Sequence, residues 1–160
     1  MVAPVSRLEI MLGRTLGGAT IASMQGLIVL LISILLGFRV HTLTIIPGVL
    51  VFIFLMAILF TALGTAIASI LEDIQGFQLI MNFLVMPLFF LSGALFPLQN
   101  APKTLAIIAR FDPLSYGVDG LRGLLSGSAH YGVSVDVTIL LIVAAIILSI
   151  GTYLFSKMQA

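Results

Sequence analysis

Four long apolar runs, at residues 20–38, 46–71, 77–96 and 135–155, dictate the medium in which this chain folds. A helix rises about 1.5 Å per residue and the hydrocarbon core of a bilayer is about 30 Å thick, so each run is long enough to cross it. Hydrocarbon offers no partner to a backbone amide, and a crossing segment must satisfy its own N–H and C=O groups, as an α-helix does. The expected fold is therefore all-α, a polytopic bundle of four transmembrane helices forming a single transmembrane domain over residues 1–160. Charged residues make up only 8% of the chain, against roughly 25% in soluble domains. The lipid bilayer is the first expected partner.

The residues that are missing exclude whole classes of chemistry. There is no cysteine, hence no disulfide framework and no thiolate nucleophile or ligand. His41 and His130 both stand in short polar connections with no second metal ligand nearby, so no metal site is expected. No span holds a carboxylate pair, an HExxH helix or a Ser-His-Asp set, and no GxxxxGK[ST] loop is present. The chain is thus not expected to be an enzyme, or to bind ATP or any other cofactor itself. Proton-coupled transport is disfavoured for want of ionisable groups at membrane depth. A net charge of +1, with basic residues scattered along the chain, forms no patch for nucleic acid. Arg7 and Arg14 ahead of an apolar run look like a signal peptide, but that run is too long and lacks a small-x-small cleavage site. It reads as a retained span.

Residues 1–18 form the only amphipathic segment of cytosol-like character. Ser6 and Glu9 have capping-box spacing, and Leu8, Met11 and Leu12 share a side away from Arg7 and Arg14. The segment is either a surface helix leading into the first span or a docking element for a partner. In the second span, Ala57, Thr61, Gly64 and Ala68 recur at helical spacing. Such a stripe admits another backbone closely and marks a packing face, with a channel lining as the alternative. Glu72 and Asp73 make an acidic turn before the third span. Within that span Pro87 removes a backbone hydrogen bond. Asn82 needs a partner there, either an interhelical hydrogen bond or a substrate contact. Asp136 falls in the first turn of the last span, where a carboxylate suits the helix dipole.

The stretch at 97–134 is too polar and too punctuated by Pro and Gly to span, yet too apolar for a free loop. It reads as two short interfacial or re-entrant helices. The first covers 103–111. Asp112-Pro113 then restarts the chain, Asp as N-cap and Pro at the first helical position, and Gly127 ends the second helix. On that helix Leu114, Val118, Leu121 and Leu125 line one face, and Ser115, Asp119, Arg122 and Ser126 the other. Asp119 and Arg122 stand one turn apart and are expected to pair. Four spans put both termini on one side. Arg7, Arg14 and Lys157 on that side balance Arg39, Lys103, Arg110 and Arg122 on the other, so the positive-inside rule does not choose an orientation.

The segment from Ser92 carries a resemblance. Ser92-Gly93, Phe96-Pro97, Pro102, Leu105, Asp112-Pro113-Leu114-Ser115-Tyr116, Asp119 and Arg122 resemble the region before the last span in permeases of type-2 ABC exporters. The daunorubicin-resistance and nodulation-type permeases are the most similar subgroup. The N-terminal APVSRLEIMLGR is similar to that family's cytosolic connection between its second and third spans. The resemblance implies that this chain matches spans three to six of a six-span permease, a fragment or a product begun at an internal Met. It implies a multi-pass protein of the prokaryotic plasma (inner) membrane, both termini cytosolic and residues 97–134 outside. Its implied function is ATP-driven export of drugs, lipids or glycans, with ATP-Mg on a separate cytosolic ATPase subunit and a second permease protomer completing the path. By the same resemblance, Pro4, Ser6, Arg7 and Glu9 would couple to the ATPase. Pro97, Asp112, Pro113, Tyr116, Asp119 and Arg122 would belong to an external gate. A non-transporting membrane module that only assembles with partners is the alternative.

Overall fold

The computed structural model of the chain describes residues 7–38, 43–71, 73–96 and 102–157. Pro4, Ser6 and Pro97 lie outside the described residues, so the expected Ser6–Glu9 capping box does too. Every regular element among the described residues is helical: α1 (Arg7–Leu35), a 3-10 turn (Leu43–Ile45), α2 (Ile46–Ala68), α3 (Ile74–Leu91), α4 (Lys103–Ala109), α5 (Pro113–Ser126) and α6 (Val133–Lys157). Four of these, over Glu9–Leu35, Ile46–Ala68, Ile74–Leu91 and Val133–Leu154, are long and apolar enough to cross a membrane. The all-α bundle of four spans expected from the apolar runs is the observed architecture.

One junction differs. The amphipathic N-terminal segment and the first span form a single helix of 29 residues, about 43 Å long. Neither Gly13 nor Gly17-Gly18 breaks it, because the flanking residues are good helix formers and nothing competes for the backbone bonds. The segment is an extension of a span rather than a separate surface helix.

The core lies where α2, α5 and α6 meet, around Phe52, Leu55, Leu59, Tyr116, Leu140 and Ala144. On α2 the buried row Phe52–Leu55–Leu59–Ala62–Ala66 keeps helical spacing. The small-residue stripe of α2 divides among neighbours. Ala57 is buried, and the Thr61 side chain faces Gly18 of α1 so closely that a Cβ there would lie 2.5 Å from its Cγ2. Gly64 looks toward Met81 of α3, and Ala68 is exposed. α1 supplies small residues of its own: a Cβ on Gly26 would lie 3.0 Å from Ile53 Cγ2. Close backbone approach of this kind is how membrane helices gain contact when lipid is as apolar as they are.

α3 starts where Asp73 accepts hydrogen bonds from the Gln75 and Gly76 amides, at 3.2 and 3.0 Å. The acidic turn is thus the N-cap of the next span. The helix continues through Pro87, and none of its residues is buried. Asn82 and Pro87 are both exposed on it. α3 is held to the bundle mainly at its C-terminal end, beside α5.

Candidate functional site

α5 forms where the Asp-Pro pair predicts. The Asp112 carboxylate accepts from the Leu114 amide at 2.9 Å, Pro113 occupies the first turn, and Gly127 closes the helix in the left-handed region at φ 71°. Two glycines bring it against α2: a Cβ on Gly117 would collide with Met56, and one on Gly120 with the Phe52 ring. Only Gly permits this approach at either position.

The buried side of α5 joins Tyr116, Gly117 and Gly120 to two residues of the polar face, Ser115 and Asp119, while Ser126 on that face is exposed. Ser115, Asp119 and Asp112 are 0%, 4% and 2% exposed, while Leu114, Val118, Leu121 and Leu125 are half-buried. Each polar group has work there. The Ser115 hydroxyl is shared between the Leu91 carbonyl (3.3 Å) and the Asp112 carboxylate (3.1 Å). Arg122 donates to the Gly93 carbonyl at 2.8 Å. The Leu91 and Gly93 carbonyls lie at and just beyond the C-terminal end of α3, where the last carbonyls have no intrahelical partner. Tyr116 donates to the Arg110 carbonyl at 2.8 Å and its ring lies 5.0 Å from that of Tyr131.

Asp119 closes the other side. Its Oδ1 and Oδ2 accept from the His130 amide at 2.9 and 2.8 Å, and Oδ2 also accepts from the Tyr131 amide at 2.8 Å. This carboxylate therefore holds the 127–132 connection onto α5 immediately before α6 begins. The expected Asp119–Arg122 pair does not form. Three amide bonds satisfy the carboxylate, and the guanidinium is drawn to carbonyls at the end of a helix, where a cation is favoured. Asp136, one turn into α6, is fully buried, and neither of its oxygens has a partner among the described residues.

Burial sets the acid–base character of the cluster. It pushes the Asp112 carboxyl up to about 6, against the opposing pull of the Leu114 amide and the Ser115 hydroxyl. Burial, then the neighbouring Tyr131, raises Tyr116 above its usual range. Burial likewise raises Tyr131, with the Arg110 guanidinium opposing it. Apart from the Ser115–Asp112 contact, the hydrogen bonds of the Asp112, Ser115, Tyr116, Asp119 and Arg122 side chains go to backbone groups. Among the described residues no three His, Cys, Asp or Glu side chains gather as metal ligands.

Beside α5 runs a groove of about 520 Å³ between α1, α2 and α5, where Ser33 supplies the one polar side chain among Val29, Ile53, Met56, Phe60 and Leu121. At the opposite end of α1, Glu9 is exposed and Arg7 opens the helix. Pro113 joins Asp112, Tyr116, Asp119 and Arg122 in one contiguous site. Sequence reasoning did not foresee Gly93, His130 and Tyr131 as its backbone partners. The signal was the glycine-flanked 127–132 connection, whose amides need an acceptor.

A polytopic helical bundle with a buried polar clamp ahead of its last span is a membrane-embedded module, and the comparisons place it further. The chain belongs to the ABC-2 type transporter family, which matches residues 1–126. It is 26% identical over 149 residues to Nodulation protein J of Rhizobium leguminosarum bv. viciae, covering 93% of this chain and 57% of that protein. To Nodulation protein J of Rhizobium meliloti (strain 1021) it is 27% identical over 131 residues, covering 79% of this chain and 48% of the relative. The Putative transport permease ycf38 of Cyanophora paradoxa is 28% identical over 130 residues, with 81% and 45% covered. The chain spans about half the length of these relatives. No solved structure matches it.

Proposed function

We propose that this chain is the membrane-spanning permease portion of an ATP-driven ABC exporter. The observation that carries the reading is membership of the ABC-2 type transporter family together with four helices able to cross a bilayer. In this reading the chain hydrolyses nothing. ATP and Mg bind a separate cytosolic ATPase subunit that docks at the N-terminal end of α1, around Pro4, Ser6, Arg7 and Glu9. Two permease protomers enclose the path in the plasma membrane of a prokaryote, both termini of this chain facing the cytosol. The α4–α5 segment then lies on the outer side as an external gate. Its clamp supports that role, because a gate has to move as a unit and α5 is tied both to the end of α3 and to the start of α6. Substrates are apolar or amphiphilic molecules such as drugs, lipids or glycans carrying a lipid tail, a class to which the apolar groove beside α5 is suited.

The test is co-expression of the permease with a candidate ABC ATPase subunit from the same organism. Co-purification and ATP-dependent efflux of a lipophilic dye from inverted vesicles are expected. Stable assembly with no flux for any lipophilic or amphiphilic probe would instead favour a module that only organises partners.

A further inference from the structure

Met11 is the first buried side chain of α1 among the described residues and has none of its surface exposed. It occupies a notch made by two other spans. A Cβ on Gly151 of α6 would collide with the Met11 methyl and would lie 3.2 Å from Ala66 Cβ of α2. Thr15 and Ala19 extend the same face along α1 by one and two turns, at 1% and 0% exposure. The Thr15 hydroxyl is enclosed there with no hydrogen-bond partner among the described residues. On the opposite face there is open space at Gly13 and Gly17, with nothing within 4 Å of a Cβ at either. Through this buried face the N-terminal end of α1 packs against α2 and α6.

Those two helices also hold the far end. α2 receives α5 through Met56 and Phe52, which abut Gly117 and Gly120. α6 is joined to α5 through the Asp119 clamp on the His130 and Tyr131 amides. Packed interiors transmit displacement because they have little free volume, and α1 is unbroken from Arg7 onward. We infer that Met11 is the positioning residue through which movement of the N-terminal end of α1 is passed to α2 and α6, and by them to α5. This inference rests on the permease reading, with the ATPase docked at that end. Methionine suits such a joint because its unbranched, polarisable side chain fills an irregular notch without a fixed branch point.

The experiment uses the full permease and its ATPase, co-purified and reconstituted in liposomes, with ATP hydrolysis per assembled complex as the readout. Wild type is expected to co-purify and to stimulate hydrolysis over the ATPase alone. Met11→Ala, which empties the notch, should lose stimulation by up to about a hundredfold while still assembling, since a misplacement of about 1 Å far from the chemistry can cost that much. Met11→Leu should retain stimulation. The double change Met11→Ala/Gly151→Leu, which refills the notch from α6, should restore it. Full stimulation by an assembled Met11→Ala complex overturns the inference. If Met11→Ala alone does not assemble, the double variant decides: assembly regained with stimulation supports the inference, and assembly regained without it refutes it. Wild type that neither co-purifies nor stimulates overturns the permease reading itself, a result separable from the others.

Discussion

Arg122 on α5 donates to the carbonyl oxygen of Gly93 at 2.8 Å, across 29 positions of chain. Gly93 follows the end of α3 in a left-handed turn at φ 77°. The bond therefore delivers a cation to the negative end of a helix and satisfies a carbonyl no helix partner can reach. Among the described residues it is one of two side-chain hydrogen bonds between α5 and that end, the other being Ser115 to Leu91.

Replacing Arg122 by Ala should accordingly release the end of α3. Hydrogen bonds to charged groups contribute about 1.5–3 kcal/mol, and the loss should fall near the lower figure because Arg122 is only half-buried. Thermal unfolding in detergent, followed by circular dichroism because the chain has no Trp or Cys to label, measures it. Arg122→Lys should recover part of the loss, since one donor is enough to reach one carbonyl. An unchanged melting temperature for the Ala variant would show that this tie contributes nothing.

Asp119 is expected to matter more. Its carboxylate serves two amides at once, and Asp119→Ala would strand both next to a buried surface at a cost of about 2–4 kcal/mol. The local readout is amide exchange: His130 and Tyr131 should exchange faster in the variant, while amides in the middle of α2 remain protected. Equal acceleration in α2 would mean that the clamp is not local.

How far the sequence led can be judged on α5. Its ends were legible, because Asp-Pro and Gly are chemical instructions for a start and a stop, read without knowing the rest of the fold. Its two faces were legible as well. What the pattern could not say is which face turns inward. In water the apolar side would be buried. Here the surroundings of the bundle are themselves apolar, so Ser115 and Asp119 turn inward to backbone groups and the leucines are left half-buried. The same ambiguity hid the Asp119 clamp, whose partners are backbone amides that carry no residue signature. Continuity of α1 was missed for a related reason: polarity changes along residues 7–35, but the helix runs through that change and through Gly13 and Gly17-Gly18. The small-residue stripe on α2 was visible at helical spacing, yet its division among α1, α3 and open surface depends on neighbours that only the fold supplies.

Gly120 offers a steric test of the α2–α5 contact. A methyl group there runs into the Phe52 ring, which is fully buried and rigid, and overpacking of this kind costs about 1–3 kcal/mol. Gly120→Ala should therefore lower the melting temperature, and Phe52→Leu in the same chain should recover part of it. The interaction between the two changes, read from a double-mutant cycle, is the decisive quantity. Gly13→Ala is the control. Nothing lies within 4 Å of its Cβ position, and there helix propensity alone should leave stability unchanged or raise it by about 0.5–1 kcal/mol. If the two alanines behave alike, close packing at Gly120 is not the constraint.

The last expectation concerns pH and follows from Asp112. Burial pushes its carboxyl up to about 6 from an ordinary 3.8. The folded chain therefore binds this proton more readily than the unfolded one does. By linkage, the stability that proton confers is complete below the unfolded value and is lost as pH rises through the folded value. Between about pH 4 and 6 the wild-type melting temperature should fall as pH increases, then level off on this account. Asp112→Asn keeps an oxygen to accept from the Leu114 amide and from Ser115 but has no proton to lose, so the slope it shares with wild type should be smaller by this contribution. Melting curves of both proteins across that window measure the difference. A steeper slope in the Asn variant, or a wild-type slope of opposite sign not shared by the variant, would exclude Asp112 as a group destabilised by its own charge.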